Sequence, residues 1–222
     1  MRPSPPPTSL APELPFSLVA GDLSLDLVNT VDWTARGLVA DRLASHERLV
    51  EWAEAAGAVT AAEAARLRRR ARRDPAAGDA ALAAARHCRW VLQQLFRAVA
   101  AGERPADVLA AFDELLAAMH RQLVLVWADP PPDGGDAEAA SPLHWSWRDG
   151  DDPARVLWPV VRAAALLLAS DEARRIRVCG APDCGWMYVD RSRNGLRRWC
   201  QMETCGTRAK SRRRAERRRH AS

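Results

Sequence analysis

The chain has 222 residues, 48% of them hydrophobic, which is enough for one domain with a buried core and a small additional module. Its net charge of +5 is the sum of two unlike parts. Residues 191–222 have a net charge of +10, with eleven Arg and one Lys, and the preceding 190 residues have a net charge of −5. The composition excludes a membrane role, because the most apolar run, residues 156–168, is too short to span a bilayer and contains Pro159 and Arg162.

The first fifteen residues are rich in Pro and Ser and contain no apolar run that could form the core of a signal peptide. We therefore predict a disordered tail at residues 1–15 and a cytoplasmic protein. The compartment matters for the cysteines, since clustered thiols in the reducing cytoplasm are more often metal ligands than disulfides.

Residues 16–31 hold two short apolar runs separated by Gly21, and we expect a short strand that turns into a helix. Asp26, Asn29 and Thr30 in this segment are candidates for lining a small-molecule pocket. A structural role is the stronger of the two hypotheses, because Asp, Asn and Thr commonly cap helix ends or bond buried backbone groups.

Capping residues and apolar spacing then predict a series of helices. Ser45 is placed to cap a helix that ends before Gly57, and Thr60 with Glu63 forms a capping box for the next one. Trp90 is expected among the apolar positions of the longest helix, and the very apolar last helix is expected at the centre of the core. The predicted helices cover residues 45–56, 60–73, 79–101, 105–119 and 152–170.

Residues 123–127 and 143–147 are apolar or alternating, and they flank a stretch rich in Pro, Gly and Asp. This pattern predicts a β-hairpin with a long mobile loop. The fold class predicted from the whole pattern is mainly α: a multihelical N-terminal domain with a small β-hairpin, over residues 16–172.

Four of the five cysteines form two C-x4-C pairs, Cys179 with Cys184 and Cys200 with Cys205, separated by fifteen residues. Zinc prefers four soft ligands in a tetrahedron, and two short turns that each present two thiolates supply them. Four thiolates leave no open position for substrate, so we predict one structural zinc ion and no catalytic metal. Two disulfides or four unrelated thiols are the alternative.

Cys88 stands alone in a predicted helix and is expected to be a buried small hydrophobe.

The segment between the two cysteine pairs predicts a treble-clef-like finger. We expect a strand at 186–189, a turn at 193–195, a returning strand at 198–199 and a helix that opens at Cys205. The finger is assigned to residues 173–208, and residues 209–222 to a basic C-terminal helix or tail. The positive charges expected to offset the negative zinc–thiolate centre are those of Arg177, Arg197 and Arg198.

Two motifs resemble known families. Cys205-Gly206-Thr207-Arg208 is similar to the Cys-Gly-Asn-Arg stretch that names the CGNR zinc fingers, with Thr207 in place of the family's Asn. Leu25-Asp26-Leu27-Val28-Asn29-Thr30 resembles the ABATE, or stress-induced transcription regulator, domain that is usually joined to that finger. The resemblance covers residues 16 to about 214, and it implies a mainly helical N-terminal domain and a role in regulating transcription.

The basic residues after the last cysteine are the main evidence for a partner. A helix there presents Arg on almost every face and repels itself, and nucleic-acid phosphates relieve that repulsion. Arg208 and Arg212 lie one helical turn apart beside the finger and are candidates for contacting base edges. The alternative is a solvated tail, because Arg runs are common in GC-rich coding sequence. The candidate nucleic-acid-binding residues are Arg208, Lys210, Arg212, Arg213, Arg214, Arg217, Arg218 and Arg219.

No enzyme is expected, because the histidines show no metal spacing and the chain has no Gly-rich phosphate loop and no nucleophile with a nearby base. The leading hypothesis is a zinc-binding regulator of transcription that binds duplex DNA, with a helical domain that senses a small-molecule effector or contacts a partner protein. The alternative is a zinc-stabilised protein-interaction module whose tail binds RNA without sequence specificity.

Overall fold

The computed structural model describes residues 16–34, 37–128, 141–148 and 152–220. The predicted tail at 1–15 lies outside the described residues, and so do residues 129–140 of the loop predicted between the hairpin strands. Within the described residues, seven α-helices and three two-stranded sheets form the mainly helical fold that the sequence predicts. The elements in chain order are α1 (Leu23–Val28), β1 (Val31–Thr34), β2 (Gly37–Asp41), α2 (His46–Ala55), α3 (Ala61–Arg73), α4 (Pro75–Ala101), α5 (Ala106–His120), β3 (Leu123–Trp127), β4 (Leu143–Trp147), a 3-10 turn (Pro153–Val156), α6 (Leu157–Leu168), a 3-10 turn (Asp171–Arg175), β5 (Ile176–Val178), β6 (Met187–Val189), a π-helical turn (Met202–Gly206) and α7 (Thr207–His220).

Local capping groups set most helix ends where the sequence predicts them. The Ser45 hydroxyl accepts a hydrogen bond from the Arg48 backbone N–H at 3.2 Å, and this caps α2. Thr60 and Glu63 form the predicted capping box at the start of α3. Gly102 ends α4 with a left-handed φ of 75°, a conformation that costs glycine little.

The helix predicted from Asp79 begins four residues earlier, at Pro75. Proline is tolerated at the first helical position, where its missing N–H has no intrahelical acceptor. Asp74 caps the helix, because its carboxylate accepts a hydrogen bond from the Ala77 N–H at 3.1 Å. The Asp-Pro pair therefore ends α3 and starts α4 with no intervening loop.

Helices α1 to α6 form the helical N-terminal domain, called the body below. Helix α4 lies at its centre and packs against α1, α2, α3, α5 and α6. The prediction gave this place to the last apolar helix; α6 does contribute core residues, but α4 contacts every other helix of the body. Cys88, Leu92 and Phe96 of α4 are fully buried. Trp90 is 42% exposed, against the prediction, because it lies on the face of α4 opposite those residues.

In the described residues no helix combines the length and apolar character that a bilayer crossing requires.

The segment predicted as a strand followed by a helix has a different order. Residues 16–22 precede the six-residue helix α1 without forming a regular strand, and β1 follows α1 and pairs antiparallel with β2. The β1–β2 pair was not predicted from the sequence. A helix as short as α1 gives too few turns for its periodicity to be recognised.

The predicted hairpin is present, with Leu123 opposite Trp147 and Trp127 opposite Leu143. Opposite residues lie on one face of the sheet, so this face carries a row of aromatic and aliphatic side chains. Trp147 packs beside Trp158 of the core, with 5.9 Å between ring centroids. Farther along the same face Trp127 is 75% exposed, so only the base of the hairpin joins the core.

A buried ion pair joins three elements of the body. Arg89 of α4 donates to both carboxylate oxygens of Asp41 at 2.7 and 2.6 Å, and to the Thr30 hydroxyl at 2.9 Å. All three side chains are buried. The network therefore ties α4 to β2 and to the short turn between α1 and β1.

Candidate metal centre and basic helix

The first cysteine pair lies in the turn between β5 and β6. These strands pair antiparallel, with Val178 opposite Met187. The Cys179 N–H donates to the Trp186 carbonyl at 2.8 Å, which closes the turn that holds Cys179 and Cys184. This corrects the prediction that β6 pairs with residues 198–199, which form no strand. The sequence did not indicate β5, because it has only three residues and includes a charged one.

The second pair is held at the start of the basic helix. Cys200 precedes the π-helical turn, Cys205 lies inside that turn, and α7 begins two residues later at Thr207. The predicted helix after the last cysteine is therefore confirmed, shifted by two residues. A hairpin turn and a helix start that each carry two thiols form the predicted treble-clef-like arrangement.

The four sulfur atoms lie within 4.8 Å of one another. The Sγ atoms of Cys184 and Cys200 are 3.8 Å apart, and those of Cys200 and Cys205 are 3.6 Å apart. A tetrahedron with zinc–sulfur bonds of about 2.3 Å has edges of about 3.8 Å, so the cluster has the size of a zinc site. A disulfide requires about 2.05 Å, and all four cysteines are free.

The electrostatics of the thiol cluster also fit a cation. Hydrogen bonds from Cys184 and Cys200 lower the pKa of Cys179 to about 2. The hydrogen bond with Cys179 raises the pKa of Cys184 to about 12, and the same partner raises the pKa of Cys200. Cys179 is therefore stabilised as a thiolate while Cys184 and Cys200 are held in the protonated form. A divalent cation among the sulfurs stabilises the deprotonated form of all of them.

The fifth cysteine has a different environment. Cys88 is fully buried in α4, as predicted, and burial raises the pKa of its thiol to about 12. It packs among apolar residues of the body core and not with the other four cysteines. Cys88 therefore provides a control for the cluster of four thiols.

Two glycines allow the backbone to close around the sulfurs. A Cβ on Gly180 would lie 3.1 Å from the Arg198 carbonyl oxygen. A Cβ on Gly206 would press against the Met202 sulfur and lie 3.1 Å from Cδ1 of Trp199.

At the position where the CGNR motif has Asn, the Thr207 hydroxyl donates to the Met202 carbonyl at 3.2 Å. The hydroxyl thus bonds the π-helical turn that carries the fourth cysteine.

Arg197 supports the segment before the third cysteine. Its guanidinium donates to the carbonyls of Trp199 and Cys200, and it lies over the Tyr188 ring at 4.1 Å from the centroid. Of the three arginines expected to offset the charge of the centre, Arg197 donates to the carbonyl of Cys200, one of the four clustered cysteines. Arg177 donates to the carbonyls of Arg174 and Ile176, and Arg198 lies over the Trp199 ring.

The three candidate pocket residues all bond other parts of the chain. The Asn29 side-chain amide donates to the Met187 carbonyl at 2.8 Å and accepts from the Met187 N–H at 2.9 Å. Asp26 accepts from the Ala20 N–H at 3.0 Å, and Thr30 donates to the Leu27 carbonyl at 2.7 Å. These contacts are of the kind that the structural hypothesis expects, and a ligand site at these residues stays a prediction. Asn29 joins the helical body to β6 of the finger.

Two surface depressions lie elsewhere. One, of about 570 Å³, lies between the end of α4, the start of α5 and β5. The other, of about 530 Å³, lies beside the finger and is lined by Val19 and residues 196–203. Neither is lined by Asp26, Asn29 or Thr30.

Within the part of the chain that the structure describes, helix α7 packs against the finger through a narrow strip. Ala209 is 8% exposed, and both terminal nitrogens of Arg212 donate to one carboxylate oxygen of Asp183 at 3.2 Å. These hydrogen bonds lower the pKa of Asp183, which lies in the first cysteine turn. The other candidate nucleic-acid-binding residues are exposed: Arg208, Lys210, Arg213, Arg214, Arg217, Arg218 and Arg219.

Comparison with known families agrees with both resemblances. The family model described as "Putative stress-induced transcription regulator" (ABATE) matches residues 21–171, and the CGNR zinc finger model matches residues 175–218. No curated protein matches the chain. The finger match includes the four clustered cysteines and most of α7. The chain therefore belongs to the ABATE family and carries a C-terminal CGNR zinc finger.

Proposed function

We propose that the chain is a zinc-dependent regulator of transcription that binds duplex DNA through α7. The observation that carries the proposal is the position of α7: it begins two residues after Cys205 and exposes seven of its eight basic side chains. The family description names a transcription regulator, which supports a nucleic-acid partner. An α-helix of this size fits the major groove, where its side chains reach both phosphates and base edges.

The proposed role of zinc is structural. One ion bound by Cys179, Cys184, Cys200 and Cys205 joins the β5–β6 turn to the start of α7 and so fixes the direction in which the helix leaves the finger. Four thiolates fill the tetrahedron, and we assign the centre no catalytic step. They also leave the centre with a formal charge of about −2, which the nearby Arg197 guanidinium partly offsets.

The charge pattern of α7 favours an anionic partner. Glu216 is the only acidic residue of the helix, and Arg213 with Arg217 and Arg214 with Arg218 are like-charged pairs at i,i+4 spacing. Such pairs destabilise a free helix by a few tenths of a kcal/mol each. Phosphates placed beside them replace this repulsion by attraction and release counterions from the DNA.

The helical body has a proposed regulatory role, in which it binds a small-molecule effector or a protein partner. Asn29 follows α1 and bonds both backbone groups of Met187 in β6. The Trp186 indole also donates to the Val31 carbonyl at 3.0 Å. A displacement of α1 therefore moves the strand that leads out of the first cysteine turn, which gives the body a direct mechanical connection to the finger.

The salt dependence of DNA binding tests the proposal. The variant carrying Arg214→Gln, Arg217→Gln and Arg218→Gln is expected to bind a duplex more weakly, with the slope of log K against log salt reduced by about 0.9 for each phosphate that the variant no longer neutralises. Fluorescence anisotropy of a labelled duplex across a salt series measures both quantities. Competition with unlabelled RNA of equal length identifies the preferred nucleic acid.

A matched control removes three exposed arginines from the body. Arg69, Arg72 and Arg73 of α3 carry the same total charge as the three residues of α7 and lie far from it in the chain. Their replacement by Gln is expected to leave the slope unchanged. Equal decreases of affinity in the two triple variants contradict binding through α7, because they show that only total charge matters.

A further inference from the structure

One side of α7 faces the finger; it carries Glu216 and lies against Asp183 of the first cysteine turn. Ala209, Arg212 and Glu216 lie at i, i+3 and i+7, so they share one face of the helix. On this face Ala209 is 8% exposed and Arg212 bonds Asp183. The Asp183 and Glu216 carboxylates therefore both lie on the finger side of the helix.

The opposite side of α7 is basic and exposed. With about 100° between successive residues, the basic side chains on the half of α7 opposite the finger are those of Lys210, Arg214, Arg217 and Arg218. No acidic residue of α7 lies among them. Phosphates are attracted to this side, whereas on the finger side the Asp183 and Glu216 carboxylates offset part of the positive charge of Arg208, Arg212, Arg213 and Arg219.

We infer that duplex DNA contacts α7 through Lys210, Arg214, Arg217 and Arg218, and that Arg212 is a positioning residue that holds the helix against the first cysteine turn. Both terminal nitrogens of Arg212 donate to Asp183, at 3.2 Å. A phosphate that contacts Arg212 has to displace the Asp183 carboxylate or lie close to its negative charge. This inference rests on the proposed function, and it reassigns Arg212, which the sequence suggested for contacting base edges.

Two single substitutions on the same helix separate the roles. Arg212→Ala is expected to weaken duplex binding about twofold to fivefold without changing the salt slope, because an exposed ion pair contributes little and the number of neutralised phosphates stays the same. Arg217→Ala is expected to weaken binding and reduce the slope by about 0.9. Each variant removes one positive charge from α7, so total charge cannot explain a difference between them. A slope reduced by Arg212→Ala as much as by Arg217→Ala overturns the inference.

Reversing the ion pair gives a second test. Arg212→Asp alone places two carboxylates against each other and is expected to weaken binding. Adding Asp183→Arg restores the pair in reverse and is expected to recover binding, with zinc content checked in every variant because Asp183 precedes Cys184. A residue that contacts phosphate cannot be replaced by Asp, so a double variant as weak as Arg212→Asp overturns the positioning role.

Hydrogen exchange without DNA separates this inference from the proposed function. Arg212→Ala is expected to lower the protection of the α7 amides, and Arg217→Ala is expected to leave it unchanged. If the wild-type chain shows no salt-dependent duplex binding while the exchange difference is present, the proposed function and the DNA surface fail and the Arg212–Asp183 contact stands. Equal protection in the two variants overturns the positioning role.

Discussion

The Cys200→Ala variant is expected to lose its zinc and the fold of the finger, whereas Cys88→Ala keeps both. Cys200 is 2% exposed, and its sulfur lies 3.8 and 3.6 Å from those of Cys184 and Cys205. A structural zinc supplies about 10–16 kcal/mol of apparent binding free energy in finger peptides at pH 7, so removal of one ligand is the largest single effect expected.

Metal content by elemental analysis and near-UV circular dichroism of the finger tryptophans measure this result. Wild type and Cys88→Ala are expected to hold one zinc per chain, and Cys200→Ala close to none. Cys88→Ala is the matched control, since it removes a buried thiol that lies in the body core. A Cys200→Ala protein that retains zinc as tightly as the wild type contradicts the four-cysteine site.

Replacing Arg89 by Met is expected to lower the free energy of unfolding by about 3–5 kcal/mol, because it leaves the Asp41 carboxylate buried without its main partner. Arg89 donates to both oxygens of Asp41, and both side chains are less than 10% exposed. Arg86, whose Nε is 3.5 Å from Asp41, replaces only part of this interaction. Urea denaturation at neutral pH measures the change.

The double variant Arg89→Met with Asp41→Asn is expected to recover part of this free energy, since it removes both buried charges. Arg72→Met on the exposed surface of α3 is the control and is expected to stay within about 0.5 kcal/mol of the wild type. If Arg89→Met unfolds at the wild-type urea concentration, the buried pair does not stabilise the body.

Local features of the sequence predicted much of this fold. The capping box of Thr60 and Glu63, the Ser45 cap and the left-handed Gly102 each depend on residues close in the chain, and all are present. The two cysteine pairs are also local signals, because each turn presents its own two thiols. These features were predictable because their physical causes lie within a few positions of one another.

Long-range pairing explains what the sequence did not reveal. The hydrogen bonds between Asn29 and Met187 join residues 158 positions apart, and neither neighbourhood indicates the other. Arg89 and Asp41 are 48 positions apart. The β5–β6 pairing and the Asp183–Arg212 contact likewise depend on how the finger closes around its thiols, and no local spacing encodes that closure.

Zinc dependence of DNA binding is the most direct test of a basic helix that is held by the finger. Anisotropy of a labelled duplex is measured with the zinc-loaded chain, after removal of zinc by a chelator, and after zinc is added back. We expect tight binding to disappear with zinc and to return with it, because the ion joins the turn of Cys179 and Cys184 to the start of α7. Undiminished affinity in the zinc-free chain would contradict the account, because α7 would then bind DNA without the finger that positions it.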